Sequence, residues 1–145
     1  MRHKFWVFVV IVPLIVTTFL GRTILLPLDR LPLQYLSGAF TIITLTLAVL
    51  VHEITRRFVK LHGLQREANF IIRASMKRGF FDGLFLLNTF AFLGLAMFFI
   101  LSSPTAWLNY WLFMMIGAAV VLSLNFANDY GVWRRERTVT QSSIA

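Results

Sequence analysis

Nineteen consecutive residues, Leu33 to Val51, carry no charge, and that run limits what the chain can fold into more than any other feature. As a helix it is ~28 Å long at about 1.5 Å per residue, close to the ~30 Å hydrocarbon core of a bilayer. In a soluble domain such a helix would need cover on every side. Three more uncharged runs accompany it, Phe5–Leu20, Gly83–Leu101 and Trp107–Ala127. In 145 residues, 58 % hydrophobic and 14 % charged, little polar chain is left to cover four such elements, since soluble domains carry about 25 % charged residues. The expected fold is a single all-α membrane domain with four transmembrane helices, over about 5–26, 33–51, 82–101 and 107–127. A basic cytoplasmic segment (52–81) joins the second helix to the third, and a basic tail (128–145) follows the fourth.

The segment His52–Phe81 sets the orientation. It holds Arg56, Arg57, Lys60, Arg66, Arg73, Lys77 and Arg78, seven of the fourteen Lys and Arg residues in the chain. Short loops rich in Lys and Arg stay on the cytoplasmic side during insertion. Both termini then lie inside as well. Arg2, Lys4, Arg134, Arg135 and Arg137 join the seven there, and only Arg22 and Arg30 fall outside. The amphipathic aromatics agree with this layout. Trp6, Tyr35, Trp107, Tyr110, Trp111, Tyr130 and Trp133 are all of the Trp and Tyr in the chain. Each stands at an expected helix end, where indole and phenol anchor at headgroup level. The predicted location is a membrane, with the basic segment and both termini on its cytoplasmic side.

Within the runs, polar residues are few and ordered. The first run follows Arg2-His3-Lys4 but lacks a small-residue cleavage site, so it reads as a retained helix rather than a signal peptide; Pro13 is expected to kink it. Ser37, Thr41 and Thr44, continued by Ala48 and His52, recur at spacings of three and four and share one helical face. That face is either a packing surface or a pore lining. Asn88 in the third run and Asn125 and Asn128 at the end of the fourth are further candidates for either role. Ala119, Ser123 and Ala127 form a second small-residue face, and the Thr/Ser-rich end is expected to be disordered. Apolar residues from Ile54 to Ile72 recur at helical spacing between the basic ones, with Gly63 as a break. This pattern fits a surface helix on anionic headgroups, a solvated connector or a docking face for a soluble partner.

Enzyme chemistry finds no footing. There is no cysteine, which removes disulfides, thiolate catalysis and cysteine-held metals. His52-Glu53 opens like a zinc motif, but Arg56 stands where the second histidine belongs. His3, His52 and His62 lie at or beyond membrane edges, so no metal, haem or other cofactor is expected. The net charge of +8 sits beside apolar runs and points to anionic lipid rather than nucleic acid. No run holds an ionisable group near its centre, which argues against a coupled transporter and leaves a passive pore open. Four helices enclose little lumen, so a pore would need a homo-oligomer.

Three patches of the chain resemble a known family. They are Val9-Val10-Ile11-Val12-Pro13, Thr55-Arg56-Arg57-Phe58-Val59-Lys60-Leu61 and Tyr130-Gly131-Val132-Trp133-Arg134-Arg135-Glu136. In order along the chain, with the length and four-helix layout, they are similar to the temperate-phage exclusion proteins of the RexB type. The resemblance implies an inner-membrane ion channel that aborts phage infection by collapsing the membrane potential. It also implies a soluble cytoplasmic activator, RexA, acting from the side of the basic segment. The alternative is a non-conducting interaction protein, akin to bacteriocin-immunity or holin-regulating proteins or to an accessory subunit.

Overall fold

In the computed structural model the chain is a sequence of α-helices joined by short turns, with no strand among the described residues. The structure describes the backbone of residues 2–64 and 70–142, and the side chains of 11–61, 63–64 and 72–131. The helices are α1 (Arg2–Thr23), α2 (Arg30–His62), α3 (Phe70–Lys77), α4 (Phe81–Met97) and α5 (Thr105–Ser142). A π-helical segment, Phe98–Ser102, prolongs α4.

Local chemistry accounts for most boundaries. Helix α2 starts after Asp29 with Pro32 in its first turn, where an amide N–H has no intrahelical acceptor to lose. It stops at Gly63, whose φ of 83° suits a residue without a Cβ. Gly79, with φ 75°, makes the equivalent stop after α3. There the N–H groups of Gly79 and Phe80 bond back to the carbonyls of Met76 (3.1 Å) and Ser75 (3.1 Å). The expected basic segment is therefore two elements, an extension of α2 and the short α3. Helix α1 runs unbroken through Pro13. The tail expected to be disordered is instead helical to Ser142: no proline follows Thr105, and extending an existing helix costs far less than nucleating one.

Helix α5 is the hub, packing against α1 on one side and α2 on the other. The buried residues Leu33, Leu108 and Leu112 form one cluster, joined by Leu26, Phe40, Ile100 and Ile116. Ala96, Trp111 and Met115 form a second, with Phe92, Phe99 and Met114 against it. Both lie toward the end where α1 hands over to α2 and α4 to α5, called here the turn end. The opposite, basic end carries Arg56, Lys60 and Gly79. Glycine sets the α1–α5 distance. A Cβ on Gly21 would stand 2.8 Å from Phe113 Cβ, and one on Gly117 would strike the Thr17 side chain.

Outside this contact, away from the basic end, many large apolar side chains are exposed. Phe90 is 70 % exposed, Phe19 65 %, Leu87 66 % and Ile42 67 %, large side chains of the kind that water-facing monomers rarely gather on their surface. Among the described residues three helical stretches are long and apolar enough to cross a membrane, Arg30–Leu61, Phe81–Ser102 and Thr105–Gly131, and α1 contributes the shorter apolar stretch Ile11–Thr23.

The α1–α5 contact yields a prediction. Gly117→Val should destabilise the detergent-solubilised protein by roughly 1–3 kcal/mol, the usual cost of overpacking. Gly94→Ala, in open space, should be neutral or stabilise by up to about 1 kcal/mol through helix propensity. Thermal unfolding of the two variants provides the comparison.

Candidate functional site

Polar side chains inside an apolar bundle are costly unless paired, so their partners show what each one does. Three groups link one helix to another, while Thr17, Ser75 and Ser103 bond back to carbonyls three or four residues earlier in the chain.

At the turn end, Asn109 is 1 % exposed and spends its whole amide on the end of α1. Its Nδ2 donates to the carbonyls of Gly21 (3.2 Å) and Ile24 (2.8 Å), and its Oδ1 accepts the Leu26 N–H (3.3 Å). The π segment is served similarly from the start of α2. Gln34 Nε2 donates to the Ile100 carbonyl (2.7 Å) and Arg30 Nη2 to the Leu101 carbonyl (2.9 Å). Helix ends leave carbonyls without intrahelical donors, and these two side chains supply donors.

The second group is the α2 hydroxyl face. Ser37, Thr41 and Thr44 are buried at 0, 5 and 5 % exposure, and the face lies against α5. The Trp111 indole N–H donates to Thr41 Oγ1 (3.2 Å), while Thr44 Oγ1 donates to the carbonyls of Phe40 (2.7 Å) and Met115 (3.2 Å). Thr41 Oγ1 in turn donates to the Ser37 carbonyl (2.7 Å). Ser37 Oγ has no partner among the described residues. Within one chain this face meets α5 and lines no lumen.

The third group is a clasp at the basic end. His52 Nε2 faces Asp82 Oδ1 at 3.0 Å, and Arg56 Nη2 lies 3.7 Å from Asp82 Oδ2. The imidazole stacks on Phe81 and Phe85, with ring centroids 4.4 and 4.0 Å away. One turn of α2 is thereby tied to the first turn of α4. Glu53 and Arg57 pair separately (2.7 Å) along the exposed side of α2, where such a pair adds little stability.

The remaining expected residues are dispersed. Asn88 is exposed on α4, Asn125 is half-buried, and the exposed Asn128 donates to Asp129 Oδ1 (3.1 Å). Arg56, Arg57, Lys60, Arg73, Lys77 and Arg78 are exposed. Arg66 and the side chains of Trp6, His62 and Trp133 lie outside the described residues. Of the expected interface aromatics, Tyr35 (72 %), Trp107 (56 %) and Tyr130 (44 %) are exposed and Tyr110 is half-buried. Trp111 differs. It is 5 % exposed, stacks on Phe99 at 4.8 Å, and satisfies its N–H within the bundle. Of the second small-residue face only Ala119 is buried, with Ser123 and Ala127 exposed. Asn109, Gln34 and the His52–Asp82 pair are absent from the sequence-derived set, since nothing in spacing along the chain points to partners on other helices.

Among the described residues these features belong to a helical chain with three helices long and apolar enough to cross a membrane. Comparison with known proteins finds no matching family model, no matching curated sequence and no matching solved structure. Among the described residues no three His, Asp or Glu side chains gather as a metal site would require.

The hydroxyl face supports a paired test. Ser37→Ala removes an unsatisfied buried hydroxyl and should be neutral or stabilising, whereas Thr41→Val strands the Trp111 N–H and should cost about 1–3 kcal/mol. Thermal unfolding in detergent reads the difference. Equal losses would contradict the assigned bonding.

Proposed function

We propose that this chain is a four-pass protein of the bacterial inner membrane, with α1 as the fourth crossing and both termini and the basic end in the cytoplasm. Copies associate through α4 into a homo-oligomer that leaks ions across the membrane and aborts phage infection when a soluble cytoplasmic partner triggers it. The observation that carries the oligomer is Asn88. It is an amide exposed on a helix whose apolar stretch is otherwise covered only slightly by its own chain. A primary amide facing hydrocarbon seeks a hydrogen-bonding partner, worth about 0.6–2 kcal/mol between helices, and the equivalent Asn88 of another copy can supply it. The resemblance to RexB-type exclusion proteins supports the conducting role. The distribution of Lys and Arg supports the orientation.

A second reading is supported by the burial of Ser37, Thr41 and Thr44 against α5, which takes the most polar face of α2 away from any lumen. On that reading the chain is a non-conducting interaction protein.

Potassium efflux from liposomes separates the two. The reconstituted protein, alone or with its cytoplasmic partner, should dissipate a potassium gradient, and Asn88→Leu should slow efflux at least tenfold while the monomer stays folded. Vesicles that remain sealed in every condition would overturn the channel reading.

A further inference from the structure

Beside the His52–Asp82 clasp, α2 and the α3–α4 turn border an open cleft of about 230 Å³ lined by Arg56, Val59, Lys60, Met76, Gly79, Phe81 and Asp82. Arg56 and Lys60 are one helical turn apart and share a face of α2. The Lys60 ammonium makes no hydrogen bond or ion pair within 4.0 Å among the described residues. Within the cleft these two cations meet one carboxylate, Asp82, already engaged by His52 and Arg56, while Glu53, which also feels both cations, is paired with Arg57. Lys77 and Arg78, both exposed on the approach to Gly79, raise the local positive potential further. Val59, Met76 and Phe81 give the cleft apolar walls, and it lies beside the start of α4 and beyond Val51, where the uncharged run of α2 ends.

We propose that this cleft is a binding site for the phosphodiester headgroup of an anionic glycerophospholipid. Lys60 and Arg56 hold the phosphate, and the glycerol backbone rests on Val59, Met76 and Phe81. The volume falls below the ~300 Å³ at which drug-sized sites begin, yet equals that of several waters at ~30 Å³ each. It suits a headgroup better than a larger metabolite or a peptide. A free phosphate would use the same two cations but not the apolar walls, so the walls select the lipid. Cations at the cytoplasmic edge of membrane helices attract anionic headgroups; here the geometry narrows a diffuse attraction to one seat. The proposal rests on membrane embedding with the basic end at the inner leaflet, and it is independent of ion conduction.

Native mass spectrometry of the full chain in mild detergent tests it, by titration with phosphatidylglycerol, phosphatidylcholine and inorganic phosphate. Phosphatidylglycerol should bind as one tight adduct, at least fivefold tighter than phosphatidylcholine. Lys60→Gln should weaken it at least fivefold, Lys60→Arg should preserve it, and Arg57→Gln, on the Glu53-paired side, should change it less than twofold. The proposal is overturned if the two lipids bind equally, if Lys60→Gln has no effect, if Lys60→Arg loses the adduct, or if Arg57→Gln weakens it as much as Lys60→Gln. Inorganic phosphate displacing the lipid at equal concentration would also overturn it, by assigning the site to a free anion.

Discussion

The amide of Asn109 closing the end of α1 is the contact on which the rest of the bundle depends. Hydrocarbon offers no water to a bare N–H or C=O, so a chain that turns at the edge of an apolar layer must satisfy its own backbone. Both turns at this end meet that demand with side chains from a different helix. Asn109 of α5 serves Gly21, Ile24 and Leu26, while Gln34 and Arg30 of α2 serve the π segment. The three donors interlock α1, α2, the end of α4 and α5 at one level. The buried apolar clusters lie beside them, so polar and apolar cohesion coincide.

The two ends of the bundle are built differently. At the turn end, the links join side chains to backbone groups and run from the buried Asn109 amide to the exposed Arg30 guanidinium. At the basic end, α4 is held to α2 by an imidazole, a partly exposed carboxylate and a guanidinium, with two phenylalanine rings stacked on the imidazole. The capping by buried Asn109 is costly to break, whereas an exposed ionic clasp is screened and contributes modestly. A helix fixed firmly at one end and lightly at the other has one place to move. On the proposed reading, that place faces the cytoplasm, within reach of headgroups and of a soluble trigger.

Much of this was legible in the sequence because bilayer thickness sets helix length and helical periodicity sets faces. The apolar runs appear in α2, α4 with its π extension, and α5, and Gly63 ends α2 as its position suggested. The Ser37–Thr41–Thr44 stripe was visible, but its partner was not, because spacing shows that residues share a face and not what covers it. Trp111 shows the limit most clearly. Near a helix end it resembles an interface anchor, yet its indole N–H finds Thr41, seventy residues earlier in the chain. Asn109 sat in plain view beside Tyr110, its role hidden because the carbonyls it serves lie more than eighty residues away. The helical tail had only a Thr/Ser-rich composition to speak for it, and composition describes an isolated segment rather than one extending an existing helix.

Hydrogen–deuterium exchange at the Leu26 amide, in lipid nanodiscs, tests the interlock most directly. Leu26 lies between α1 and α2, where no helix protects it, so slow exchange there reports its bond to Asn109. The account predicts slow exchange in the native protein and acceleration by at least tenfold in Asn109→Ala, with protection in the middle of α2 retained. Fast exchange at Leu26 in the native protein, or slow exchange unchanged by the substitution, would contradict it.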